Sequence, residues 1–250
     1  MHFINKATDL NNKGVALLES GMQHEAFECF TYALENLSRL AQYLQSQAFF
    51  WKQQQQADHN ASSVQLCRRK RQSYLLQQSE ILEKVAFSQK ACEIGFSRET
   101  FLYNQSFRFN PVQLFGFDED FCSHFVNFYT AILTFNCALS FHQRSDGVDL
   151  ELKRTAESYA SQLYFEAMEH LRKCYATVDS SIVLTATLNN AAMICYGIHD
   201  FEQFCNLQEE LHRLLIDTEC SFPHAVDTCC MLFFYFNATM LSAPQTAGAA

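Results

Sequence analysis

Apolar residues recur at helical spacing along most of this chain, and the places where that spacing breaks divide it into elements. From about Ala7 to Ser20, Leu10, Val15, Leu17 and Leu18 supply the apolar stripe of a first helix. Gly21 closes it, as a glycine in the left-handed region does at a helix C-terminus. A second helix runs from Gln23 through Leu40 or beyond, with Ala26, Phe30, Ala33, Leu34 and Leu37 in register. The pattern then lapses. Trp51 to Asn60, WKQQQQADHN, is polar and Gln-rich and reads as a loop or frayed helix end. Val64 to Cys92 reads as a long helix.

Between Arg98 and Asn110 the period changes from helical to two. Phe101, Tyr103, Phe107 and Phe109 alternate with polar residues, which predicts a short strand or extended arm. A lone strand leaves its backbone unsatisfied, so it must pair near Ile94 to Phe96 or lie against helices. Helical spacing returns from Asp118 to about Arg144. Ser145-Asp146-Gly147 makes a turn, and a helix follows from Leu150 to about Ala176. A further hairpin spans Ile182 to Gly197 and Phe201 to Ile216. A last helix covers about Pro223 to Leu241, and SAPQTAGAA from Ser242 reads as a disordered tail. The expected fold is all-α, with a short extended or β insert near residues 98–110.

Composition supports helix and a packed core. Hydrophobic residues make up 48% and charged residues 18%, while Pro (3) and Gly (7) are scarce. The 24 phenylalanines predict an aromatic-rich interior. A net charge of −9 argues against general nucleic-acid binding, which needs clustered cations facing phosphates. The 11 cysteines form no Cys-x-x-Cys, and Cys29, Cys137, Cys195 and Cys229 lie in apolar helical stretches. With no signal-peptide pattern at the N-terminus, they read as reduced thiols acting as small hydrophobes. The expected location is the cytoplasm, with the nucleus open to it. No stretch reaches the roughly 20 apolar residues of a membrane span.

The hairpin from Asn12 to Ala33 carries a resemblance. Gly14, Leu17, Ala26, Phe30 and Ala33 fall at the spacing of the tetratricopeptide repeat, in which small residues let two helices pack closely. Leu10 replaces that repeat's usual Trp, and Ser38 its closing Pro. Ala138, Phe141, Ala160, Tyr164 and Ala167 match a second, stretched repeat. LNNAAMICYGIHDF, Leu188 to Phe201, resembles a third, with Ala192 in the small position. There Phe204 and Leu211 stand where Ala is expected. The resemblance implies one domain over residues 1–241, with hairpins at about 7–40, 118–177 and 182–217. A capping helix at 223–241 and an insert at 41–117 complete it. Gly14, Ala26, Phe30, Ala33, Ala138 and Ala192 are its packing residues. Any antiparallel helical hairpin remains the alternative.

Aligned on that repeat, Asn12, Asn136, Asn190 and Asn237 occupy one position, and Asn11 and Asn189 flank two of them. In the family this position faces the inner groove, where a carboxamide can both donate to and accept from a peptide backbone. The implied function is a non-catalytic scaffold holding a protein or peptide partner. Equally open is a coincidence of four asparagines, or a ladder that binds only water or the protein's own insert. The family's carboxylate clamp needs Lys or Arg nearby, but those positions are Thr8, Val15, Ile132, Leu139, Ala186 and Met193. An apolar or helical ligand is therefore expected over an acidic C-terminus.

Two other readings compete. Arg68-Arg69-Lys70-Arg71 suits either a nuclear adaptor or a solvated helix face. His170 and Cys174, four apart, could start a metal or thiol site, but no second pair follows. No Gly-rich phosphate loop, nucleophile elbow or zincin motif is present. No catalytic residue, metal or cofactor is expected.

Overall fold

A computed structural model describes residues 2–57, 102–109, 119–144, 149–174, 176–222 and 228–242. Among them are seven helices: α1 (His2–Glu19), α2 (Gln23–Ala57), α3 (Glu119–Arg144), α4 (Leu150–Leu171), α5 (Val178–Gly197), α6 (Phe201–Ser221) and α7 (Thr228–Ser242). Each of α1/α2, α3/α4 and α5/α6 packs as a pair, α2 meets α3, α4 meets α5, and α7 covers the last pair. Also in contact are α1 with α3, α3 with α5 and α5 with α7, so the odd-numbered helices share one side of the stack. No described helix is long and apolar enough to cross a membrane.

Small residues set the first pairing. Gly14, Ala26, Phe30 and Ala33 are all buried, and a Cβ on Gly14 would lie 2.5 Å from Phe30 Cε1. Helix α1 can therefore approach the Phe30 ring only through glycine. Ala138 and Ala192 are also fully buried, on α3 and α5. The turn after α1 places Gly21 at φ 77°, with Gly21 N–H donating to Leu18 O and Met22 N–H to Leu17 O. These two bonds satisfy carbonyls that the helix end leaves unpaired.

Two helix boundaries differ from the sequence pattern for physical reasons, and the insert takes one of its two expected forms. Helix α2 continues to Ala57, through the stretch that reads as a loop or frayed helix end, because the Gln-rich run there lacks glycine or proline and consists of good helix formers. Helix α5 begins at Val178, where Thr177 and Ser180 form a reciprocal capping box. Residues 102–109 form no strand beyond an isolated bridge at Phe109; they are a non-helical arm lying against helices. Phe101, the Val64 to Cys92 segment with Arg68 to Arg71, the Ser145 to Gly147 turn, Pro223 and the tail from 243 lie outside the described residues.

The arm explains why the central helices are buried on every side. Residues 131–140 of α3 and 185–195 of α5 are all buried, including their polar members. A helix apolar around its full circumference needs cover on each face. Neighbouring helices supply most of it. Tyr103, Phe107 and Phe109 of the arm, each at most 2% exposed, join the same core.

Candidate functional site

The inner side of α1, α3 and α5 carries, on each helix, one asparagine amide that both donates to and accepts from the arm. Asn190 Nδ2 donates to the Tyr103 carbonyl at 2.9 Å, and Asn190 Oδ1 accepts from the Tyr103 N–H at 2.9 Å. Asn136 does the same to Phe107, at 2.9 Å and 3.0 Å. Asn12 does it to Phe109, at 2.8 Å and 2.9 Å. Each amide thus grips the N–H and C=O of a single residue, as a neighbouring strand would. The arm runs against the order of the hairpins: its first clamp is on α5 and its last on α1.

This pairing is specific for asparagine. One carboxamide offers a donor and an acceptor side by side, whereas a carboxylate has only acceptors and a leucine neither. A flipped amide would set donor against donor. The backbone groups of Tyr103 and Phe107 are buried, so they need partners; an unmet one costs about 1–3 kcal/mol.

A second tier of amides braces the first. Asn11 Nδ2 donates to the Phe107 carbonyl at 3.0 Å, filling that oxygen's second site, while Asn11 Oδ1 accepts from Asn136 Nδ2 at 2.8 Å. Asn237 Nδ2 donates to Asn189 Oδ1 at 2.7 Å, and Asn189 Nδ2 to Asn190 Oδ1 at 3.2 Å. Of the four expected groove residues, Asn12, Asn136 and Asn190 meet on one peptide; Asn237 acts on Asn189 beside it. Asn190 Nδ2 also donates to the Tyr164 hydroxyl at 3.1 Å, and burial pushes that phenol's pKa far above its ordinary range.

Side chains add a register to the backbone clamps. Tyr103 stacks on Phe107 with ring centroids 5.7 Å apart and lies near Phe135, Phe233 and Phe234. Phe109 stacks face to face on Tyr129 at 3.8 Å. Arg108 pairs with Glu19 at the exposed edge, and Gln143 Nε2 donates to the Asn104 carbonyl at 3.1 Å. Sequence reasoning missed Gln143, Glu19 and Arg108, since no periodic signal marks contacts made at helix ends. The expected lining, Thr8, Val15, Ile132, Leu139, Ala186 and Met193, is buried throughout.

The His170 and Cys174 pair is engaged structurally. His170 Nδ1 lies 3.0 Å from Asn127 Oδ1, and the Cys174 thiol donates to the His170 carbonyl at 3.3 Å. Burial lowers the His170 pKa and pushes that of Cys174 up to about 12, so the thiol stays protonated at neutral pH. Among the described residues no cluster of His, Cys, Asp or Glu could hold a metal ion.

No protein-family model, curated protein or solved structure matches the chain.

Proposed function

We propose that this chain is a non-catalytic interaction module: a tetratricopeptide-like array whose inner face holds a peptide by its backbone. The observation that carries the reading is the repeated clamp, in which Asn12, Asn136 and Asn190 each make two bonds to one residue of the same segment. Backbone groups are common to every peptide, so a ladder of this kind suits a partner presented as a non-helical segment. The contact of odd-numbered helices and the Gly14–Phe30 approach support the repeat assignment. The half-buried, hydrogen-bonded Cys174 thiol argues against the His170–Cys174 pair as a thiol site.

The test is selection of random peptides on the intact protein, followed by affinity measurement against Asn12→Ala, Asn136→Ala and Asn190→Ala, each checked for helical content. Losing two hydrogen bonds to a buried backbone should weaken selected peptides about tenfold or more. Peptides that bind all three folded variants as tightly as the natural protein would sink the reading.

A further inference from the structure

The groove's contacts with its own chain specify a ligand. Its clamps bind main-chain atoms and need no covalent link between the arm and the helices that hold it. Its pockets take an aromatic ring at the first, fifth and seventh positions, where Tyr103, Phe107 and Phe109 stand. At the sixth position, Glu19 of α1 meets the cation of Arg108. From this we infer that residues 103–109 are a built-in ligand, and that the groove accepts in trans a peptide with that register: aromatic residues at one, five and seven and Lys or Arg at six. The inference rests on the peptide-holding reading above and adds the partner's chemistry and a means of control.

A tethered segment competes at an effective concentration of about millimolar. An outside ligand therefore binds only to the fraction of molecules whose arm has left. If that fraction is about 1%, its apparent affinity falls about 100-fold. The arm thereby sets a threshold: weak or mismatched peptides are excluded, and any change that loosens the arm raises affinity without altering the groove.

The experiment measures anisotropy of a labelled synthetic peptide, Leu102 to Phe109, on the full chain and on a Tyr103→Ala/Phe107→Ala/Phe109→Ala variant. The variant should bind at least about tenfold tighter than the natural chain. A peptide with its three aromatics replaced by Ala should not bind. If the folded variant binds both peptides equally, the register is wrong while the backbone-holding groove survives. If it binds neither, the groove takes no peptide in trans and both readings fall. Hydrogen exchange on the natural chain covers the case in which the variant does not fold. The amides of Tyr103, Phe107 and Phe109 should exchange faster than that of Ile132 in α3, and faster still with excess unlabelled peptide. Exchange in step with Ile132, unchanged by peptide, would make the arm permanent core and overturn the inference.

Discussion

The first and third hairpins can be laid over one another residue by residue, and they differ in an instructive way. Where α1 has Gly14 against Phe30, α5 has Ala192, and α6 has Phe204 and Leu211 in place of Ala26 and Ala33. Where the first turn has Gly21 at φ 77°, the third has His199 at φ 64°. Both turns make the same pair of bonds: His199 N–H to Tyr196 O and Asp200 N–H to Cys195 O mirror those after α1. What the two hairpins keep in common is the asparagine pair, Asn11-Asn12 and Asn189-Asn190. Packing residues can drift because the side chains around them can repack to a new volume. An amide facing a backbone N–H and C=O has no such substitute.

The largest expected effect compares the two clamps. Tyr103 and Asn190 are wholly buried, whereas Asn12 is partly open to water. Asn190→Ala should therefore cost about 3 kcal/mol and Asn12→Ala roughly half of that, read from urea midpoints. Equal losses would show that water does not relieve the outer clamp.

Packing comes next. Gly14→Val should cost about 2 kcal/mol through overpacking against Phe30. Adding Phe30→Leu should recover part of it, a coupling visible in a double-mutant cycle. Strict additivity would mean that the α1 backbone has moved away from the ring.

The turns should give about 1 kcal/mol of opposite sign: His199→Gly stabilises by relieving left-handed strain, and Gly21→Ala destabilises by introducing it. No atom lies within 4 Å of a Cβ at Gly21, so its cost is backbone alone. A neutral His199→Gly would mean that the imidazole's contact with Phe201 compensates.

Acid should give the smallest effect and should spare the comparison. The histidines of the first and third hairpins (His2, His24, His199 and His212) are exposed, while burial lowers the pKa of His124 and His170 in the middle one. A depressed folded pKa means the unfolded chain binds more protons below its ordinary value of about 6.5. Stability from these two groups is thus complete above that pH and declines as pH falls toward their folded pKa values. His124→Gln should flatten the decline of the melting temperature between neutral and mildly acid pH. An unchanged slope would assign it to other groups.

Much of the helical frame was legible in the residues, since a helix announces itself by local spacing. The turn at Gly21, the small residues Gly14, Ala26 and Ala33, and the shared register of Asn12, Asn136 and Asn190 all follow from positions a few residues apart. The end of α2 was legible only as a loop or a frayed helix, because a run of glutamines signals polarity and helix propensity at once, and only its context selects helix. The arm was legible as aromatic and non-helical, but whether it pairs as a strand or lies against helices was not.

What the sequence by itself determined, then, is which faces are apolar, where the chain turns, and that asparagines recur within its helices. Only the tertiary structure decided what those amides hold. Asn190 and Tyr103, or Asn12 and Phe109, are joined through main-chain atoms that every residue possesses, so no side chain in the arm advertises its partner. The pairing exists because folding stacks three distant helices and leaves a lined, water-poor channel, in which the arm's backbone must find donors and acceptors.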